Sequence, residues 1–305
     1  MMQTAMIIQP LLAITLAPLL LGVINRVKAF FAGRRGQPLF QLYYDLWRLL
    51  HKGAVYSTAA SWIFRAAPVV SLAAFLTAAC IIPLGGVRSL FSFSGDLILA
   101  AYLFGLARFF VVLGALDTGS SFEGMGASRE VHFSALAEPA LFIALMALAR
   151  QTSSLSLSGI FSSITPDFWT AHSATLLLVS AALAIVLLAE NARIPVDDPN
   201  THLELTMIHE VMVLDYSGPD FAFILYGSAL KLWLYAALLT GAILPLGTLP
   251  PLAAAAVSAA AIFLTAVFIG IVESSMARLR LLRVPHLLFT AAALAILALV
   301  FALRS

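Results

Sequence analysis

The chain has 305 residues, of which 62% are apolar and only 10% are charged, and its formal net charge is +2. The mean hydropathy is +1.00. So few charged residues cannot give a soluble domain of this length a polar surface. The composition therefore excludes a soluble enzyme or binding module and predicts an integral membrane protein. The lipid bilayer is the expected surroundings, and no nucleic acid partner is expected.

Eight apolar stretches of about 20 residues divide the chain and predict transmembrane helices. Continuous runs rich in Leu, Ala, Ile and Phe satisfy their backbone polar groups as helices, whereas barrel strands alternate in polarity over about ten residues. We therefore predict an all-α, polytopic fold in one transmembrane domain, residues 1–305. The predicted spans are 5–31, 63–84, 97–116, 135–149, 174–189, 221–246, 252–272 and 287–303.

The distribution of basic residues predicts the orientation of the chain. Twelve of the 17 lysines and arginines lie in the first, third, fifth and seventh connections. Because cytoplasmic loops are enriched in Lys and Arg, this asymmetry predicts that these connections are cytoplasmic. Both termini would then be periplasmic, in the cell inner membrane.

The first connection contains an amphipathic stretch, residues 37–52, that begins near Pro38 and ends before Gly53. Its apolar residues recur at helical spacing, and Tyr43, Tyr44 and Trp47 would anchor it at the membrane interface. Two roles are open for this helix. It could be only a headgroup anchor, or it could form the wall of a cavity or a docking face.

The third connection combines glycines with carboxylates. Gly119, Gly124 and Gly126 permit an irregular chain, and a solvated loop is the expected setting of Asp117 and Glu123. Glu138 differs because it would be carried into the start of a span, where a carboxylate suggests function.

The fifth connection is the most acidic part of the chain, with a single arginine among its carboxylates. Clustered and partly desolvated carboxylates raise one another's pKa, so a group here could exchange protons near neutral pH. His202 and His209 lack a third ligand at matching spacing, so cytoplasmic surface or partner contact is expected for both rather than a metal site. The charged residues are Glu190, Arg193, Asp197, Asp198, Glu204, Glu210 and Asp215.

Two basic residues, Arg108 and Lys231, lie within predicted spans, each about nine residues from the cytoplasmic end. That distance corresponds to roughly 13 Å along a helix. Two explanations are open: a purely structural ion pair with a nearby Glu or Asp, or a place on a polar route. Both predict that the side chains face protein or water rather than lipid.

The single cysteine, Cys80, lies in the second span. The chain can therefore form no internal disulfide, and it cannot supply the four thiolates usual for an iron-sulfur cluster. Any redox centre is expected in a partner, with no cofactor bound by this chain itself.

The pattern Glu190-x-x-Arg193-x-Pro195-x-Asp197-x-Pro199, followed by Glu204-Leu205 and Tyr216-Ser-Gly218, resembles the cytoplasmic loop of complex I subunit 1. Arg129 followed nine residues later by Glu138 is similar to another feature of that family. Residues 36–46, 116–122, 205–211 and 273–280 further resemble the membrane subunits of formate hydrogenlyase and hydrogenase-4, which are group 4 [NiFe] hydrogenases. Asn200 and His202 replace acids that are usual in the respiratory branch.

This resemblance implies a membrane subunit that transmits redox energy rather than performing the redox chemistry. It implies a proton or coupling path through Glu138, Glu190, Arg193, Asp197, Asp198, Glu204, Glu210, Arg108 and Lys231. Docking loops would contain Asp117, Glu123, Arg129, Glu130, Asp215, Arg278 and Arg280. The implied partners are hydrogenase large and small subunits with nickel-iron and iron-sulfur centres, an iron-sulfur protein and antiporter-like membrane subunits.

Two alternatives are weighed against this interpretation. A quinone-reducing relative, the quinone-site subunit of a complex I-like NADH dehydrogenase, would enclose a quinone tail between the amphipathic helix and the first spans. A stand-alone ion-coupled transporter would explain charges within spans, but inverted repeats and interrupted helices, which such transporters usually show, are not found in the sequence.

Overall fold

The computed structural model describes residues 2–197 and 207–304, and the regular structure of this part of the chain is entirely helical. Eight helices are long and apolar enough to cross a membrane, which confirms the predicted all-α, polytopic fold. The predicted site residues Asp198 and Glu204, and also His202, lie outside the described residues.

The long helices are α1 (Met2–Phe31), α3 (Trp62–Ile81), α4 (Asp96–Asp117), α5 (Ser121–Thr152), α8 (Ser173–Glu190), α9 (Gly218–Ile243), α10 (Pro251–Ser275) and α11 (Val284–Arg304). The shorter helices are α2 (Gln41–Leu50), α6 (Leu157–Ser163) and α7 (Pro166–Ala171), and two 3-10 helices cover Glu210–Val213 and Leu281–Arg283.

Helix α9 is the centre of the bundle. It packs against α1, α2, α3, α8 and α10. Of its most apolar window 67% is buried, against 28% for the last span, and Trp233 is 1% exposed. A helix that is apolar on every side is stable only when other helices surround it or when lipid does. Lys231 lies on this central helix and is therefore held inside the protein.

Helix α5 is longer than the predicted span 135–149, because it begins at Ser121. The prediction of an irregular, solvated chain around Glu123 is therefore wrong, and Glu123 is 0% exposed. Glycine costs about 1 kcal/mol in a helix interior. At Gly126 packing outweighs this cost, because a side chain there would collide with Val211 and Met212.

The predicted helix of the first connection is present as α2, and none of its residues is buried. The Tyr43 hydroxyl donates a hydrogen bond to the carbonyl oxygen of Thr15 in α1. Tyr44 and Trp47 are 63% and 69% exposed. The helix thus lies on the outside of the bundle with aromatic side chains uncovered, as an interfacial helix does.

The start of α4 is fixed by neutral hydrogen bonds. Asp96 is completely buried, and its two carboxylate oxygens accept hydrogen bonds from the Ser156 hydroxyl and the Leu157 N–H, both at 2.7 Å. Close to the same end, Gln9 of α1 accepts from the Leu84 N–H at 2.8 Å and donates to the Arg88 carbonyl oxygen at 2.9 Å. These bonds tie the connecting segments to the ends of the helices.

Candidate functional site

Four segments converge around the middle of α4. They are the first half of α5, the turn that follows α8 (residues 191–197), the segment 207–213 and the chain that follows α10. The Leu279 N–H donates to the Pro195 carbonyl oxygen at 2.9 Å, and an Arg129 guanidinium N–H donates to the Met207 carbonyl oxygen at 2.8 Å. Backbone contacts therefore bring charged residues that are distant in sequence into one place.

Arg108, 8% exposed, is the centre of this site. Its Nε lies 3.0 Å from a carboxylate oxygen of Glu130, and its two terminal nitrogens donate to Glu138 and Glu190. A guanidinium presents five N–H donors in a planar fork, so it can hold three carboxylates at once. The prediction that Arg108 faces protein or water rather than lipid is confirmed, and the ion pair that was one of its two explanations is present.

Glu190, the last residue of α8, connects Arg108 to the central helix. The Lys231 ammonium lies 3.0 Å from its carboxylate, and the Lys231 side chain is 13% exposed. The prediction that Lys231 faces protein rather than lipid, in an ion pair, is confirmed. The carboxylate of Glu190, from α8, is thus shared by a cation of α4 and a cation of α9.

His209 extends the network towards the end of the helices. Its Nε2 lies 3.1 Å from Glu130 and its Nδ1 lies 3.6 Å from Asp197, while an Arg278 guanidinium nitrogen lies 2.8 Å from Asp197. Asp197 also accepts hydrogen bonds from the Ile208 and His209 N–H groups, at 3.1 and 3.3 Å. The expectation that His209 serves mainly as surface or partner contact is wrong, because it bridges two carboxylates.

These contacts set the proton affinities of His209 and Asp197. Burial lowers the pKa of His209, but the carboxylates of Glu130 and Asp197 outweigh it, and the pKa is raised. Burial raises the pKa of Asp197, but the hydrogen bond and charge of His209 and the charge of Arg278 outweigh it, and the pKa is lowered. The sequence-based expectation of raised carboxylate pKa values is thus wrong for Asp197, because cations from other segments surround it.

Among the described residues, the network from Arg278 to Lys231 contains four carboxylates, Glu130, Glu138, Glu190 and Asp197, and three permanent cations. Protonated His209 would be the fourth cation. Among these eight described groups the formal charges cancel when His209 carries a proton.

A small enclosed cavity of about 10 Å³ lies beside this network, lined by Glu130, Ser134, Glu190 and His209 among others. Its lining also includes the apolar side chains of Phe133, Ala137, Ala189, Val196 and Ile208, and its volume is about that of one water molecule.

A second ion-pair group lies nearby. Glu273 of α10 is 0% exposed at its side chain; it lies 2.8 Å from the Lys28 ammonium and 3.4 Å from an Arg193 guanidinium nitrogen. Arg193, predicted on the coupling path, is thus engaged with α10 and α1. Glu273 and Lys28 are not among the predicted site residues, since neither stands out among the charges near helix ends.

The predicted docking residues have different settings. Asp117 accepts a hydrogen bond from the Ser61 N–H at 2.6 Å, and Glu123 accepts one from the Asp215 N–H at 3.0 Å. Asp215 and Arg280 are exposed, whereas Glu123 and Glu130 are buried. Tyr216 stacks on Phe64 with 4.0 Å between ring centres.

Glu138 is the network residue that reaches the side of the bundle, with its side chain 46% exposed. Glu210 begins a 3-10 helix, and its negative charge acts on Arg193. Within residues 2–197 and 207–304, no cluster of three His, Cys, Asp or Glu side chains could hold a metal ion. The arrangement found here can store and pass charge or a proton between four helices.

Comparisons with known proteins agree with the fold and the motifs. Residues 2–303 match the family model described as NADH dehydrogenase. The chain is 33% identical to formate hydrogenlyase subunit 4 of Escherichia coli K12, over 96% of each chain. It is 32% identical to hydrogenase-4 component C of the same organism, over 96% of this chain and 93% of that one.

A solved structure has the same fold. A chain of the membrane-bound sulfane sulfur reductase, an archaeal respiratory membrane complex, superposes with a TM-score of 0.84 over 99% of both chains, at 21% identity. The chain therefore belongs to the NADH dehydrogenase subunit 1-like family and is a membrane subunit of a complex I-like assembly.

Proposed function

We propose that this chain is the membrane anchor and coupling subunit of a group 4 membrane-bound [NiFe] hydrogenase of the formate hydrogenlyase type. Two relatives at 32% and 33% identity carry hydrogenase names, which supports this branch of the family. The chain itself would be a non-catalytic part of the oxidoreductase. The nickel-iron and iron-sulfur centres would belong to hydrogenase large and small subunits and an iron-sulfur protein.

The observation that carries the proposal is the uninterrupted series of ion pairs from Arg278 through Asp197, His209, Glu130 and Arg108 to Glu190 and Lys231. It begins at Arg278, just after the end of α10, and ends at Lys231 on the central helix α9. Unpaired buried charges are costly, and a series this long uses many buried charges where apolar residues would pack at lower cost. Such a costly arrangement supports a functional role.

Exposed groups around the outer end of this series would receive the cytoplasmic arm. Arg280 and Asp215 are exposed, and Arg278 is 18% exposed at its side chain. Glu123 and Glu130 are buried, so their part in docking would be to hold the loops in place. A docked arm would thus lie close to the Arg278 end of the ion-pair series.

The proposed coupling step is a change of protonation. An electron that arrives in the docked arm adds negative charge near Arg278 and Asp197 and favours the protonated form of His209. When the electron leaves, His209 returns that proton to the cytoplasmic water from which it was taken, and the changed charge of the network acts through Glu130, Arg108 and Glu190 on Lys231 and on Glu138 at the side of the bundle. Antiporter-like membrane subunits beside Glu138 would receive this signal.

The test is Glu190→Gln and Glu130→Gln in the complete complex, with hydrogen evolution and the ion gradient measured together in membrane vesicles. We expect hydrogen evolution to persist while the gradient falls at least about tenfold, because the amide cannot carry the charge. Asp45→Asn is the matched control, since Asp45 interacts with Arg48 and Gln41 within the short helix α2, away from the network. Variants with an undiminished gradient would refute the coupling role.

The proposed location is the inner membrane, with both termini periplasmic and the Arg278 end of the bundle in the cytoplasm. The basic residues at that end support it. Single cysteines introduced at Arg280 and Arg304 would test it with an impermeant thiol reagent on intact cells. We expect labelling at position 304 and protection at position 280, and the reverse pattern would refute the orientation.

A further inference from the structure

A basic cleft with a volume of about 520 Å³ opens at the C-terminal end of α1. It lies between the last turns of α1, the turn that follows and the end of α10, and it is separate from the His209 network. Its polar lining comprises Asn25, Lys28, Arg34, Arg35, Gln37 and Glu273, among others.

The backbone fixes the two arginines at the mouth of this cleft. Gly33 has a positive φ of 63°, the Gly33 N–H donates to Phe30 at 3.1 Å, and the Arg34 N–H donates to Ala29 at 2.9 Å. This pair of bonds is the Schellman motif, which ends a helix sharply and satisfies its last carbonyl groups. The direction of the chain at Arg34 and Arg35 is therefore set by the helix end.

The positive charge of these arginines is not balanced within the described part of the chain. Glu273, the acid in the lining, is already held by Lys28 at 2.8 Å and by Arg193 at 3.4 Å. Arg34 and Arg35 are both exposed, and neither takes part in an ion pair with residues 2–197 or 207–304. The cleft therefore presents two guanidinium groups that can accept an anion.

The same place carries an apolar surface. Phe30 and Phe31, in the last turn of α1, are 79% and 57% exposed. These rings close the apolar run of α1, and four basic residues lie around them, Arg26, Lys28, Arg34 and Arg35. Such a cluster at the cytoplasmic end of a transmembrane helix is typical of binding to anionic lipids.

We propose that this cleft binds an anionic phospholipid. The phosphate group would accept hydrogen bonds from Arg34 and Arg35, and the acyl chains would lie against Phe30 and Phe31. Guanidinium groups match phosphate geometry, and juxtamembrane basic side chains attract anionic lipids. A lipid satisfies the cations and covers the phenyl rings together, whereas an acidic protein surface would match the cations alone.

The test is native mass spectrometry of the full-length chain in detergent, titrated with phosphatidylglycerol or phosphatidylcholine of identical acyl chains. We expect the wild type to retain phosphatidylglycerol about tenfold better, and the double variant R34A/R35A to lose that preference. The control variant R150A/R304A removes the same charge from exposed positions elsewhere and should keep it. Circular dichroism of each variant verifies that the helices persist.

Three results would overturn the proposal. R34A/R35A could retain phosphatidylglycerol as well as the wild type does, or inorganic phosphate could displace the lipid, which would indicate a site for free phosphate. The double variant could also keep the lipid while the purified complex loses its cytoplasmic subunits, which would assign the cleft to a protein partner.

Discussion

The two polar regions of α4 bury charge in different ways. Asp96, at the start of the helix, is enclosed by a hydroxyl and a backbone N–H, both at 2.7 Å. Arg108, 12 residues and roughly 18 Å further along, is enclosed by three carboxylates. The carboxylate of Asp96 is held by neutral donors, whereas Arg108 belongs to a network of charged groups that includes His209. The first arrangement secures a loop, and the second can respond to a change outside.

The largest effect is expected for Arg108→Met, because three carboxylates would lose their shared cation. Removing one partner of a buried ion pair costs about 3–5 kcal/mol, so the free energy of unfolding in detergent should fall by at least that amount. The measurement is thermal or denaturant unfolding, with Arg150→Met as control at an exposed arginine. An unchanged free energy would mean that the three carboxylates do not depend on Arg108.

A smaller loss is expected for Glu273→Gln, which leaves Lys28 and Arg193 without their carboxylate. A hydrogen bond to a charged group is worth about 1.5–3 kcal/mol, and the free energy of unfolding should fall by this amount. Asp45→Asn, at an exposed pair, should change it little. Equal losses in the two variants would show that the buried position of Glu273 has no energetic significance.

Asp96→Asn tests the start of α4, where neutral hydrogen-bond donors hold the carboxylate. The amide keeps one acceptor oxygen but directs its NH2 group at one of the two donors, so we expect a loss of about 1–2 kcal/mol. Unfolding in detergent measures it, with Asp167→Asn as control in the first turn of α7. A loss as large as that of Arg108→Met would remove the distinction between the two regions.

The smallest effect concerns pH. Because the fold raises the pKa of His209, the protonated imidazole stabilises the packing of segment 207–213. This stabilisation is complete below the unfolded pKa of about 6.5 and decreases as pH rises through the raised value. The lowered pKa of Asp197 affects stability in a different pH range. Its contribution to the stability of the fold disappears only as pH falls below about 3.9.

Hydrogen exchange of residues 207–213 between pH 6 and pH 9 is the measurement for His209. Protection should decrease as pH rises in the wild type, and His209→Gln should remove most of this dependence. His286→Gln, at a histidine near the start of α11, is the control. A dependence that survives His209→Gln would place the titrating group elsewhere.

The spans could be predicted from sequence because each is a continuous apolar run, a local property. The ion pairs of Arg108 and Lys231 could be predicted for a similar reason, since a charge within lipid requires a partner. The helical start of α5 could not, because residues 121–130 are polar and glycine-containing, and the packing of Gly126 against residues 211 and 212 is a tertiary contact. Local propensity is a weak guide where tertiary contacts decide.

The role of His209 could not be predicted either. Its partners Glu130 and Asp197 come from other segments, 79 and 12 residues away in sequence. The acidity of its own loop suggested raised carboxylate pKa values, but Glu190 and Asp197 are paired with cations from α4, α9 and the chain after α10. Sequence shows which charges are present, and the fold decides which of them meet.

The half-exposed side chain of Glu138 has a consequence for the life of the newly made chain. A carboxylate uncovered on the flank of a membrane helix is costly in hydrocarbon, even when a guanidinium holds one of its oxygens. Until another subunit covers this flank, the surrounding bilayer has to thin or admit water there. A chain that is not yet assembled with other subunits thus exposes this costly carboxylate, and its lifetime in the membrane should depend on how soon it is assembled.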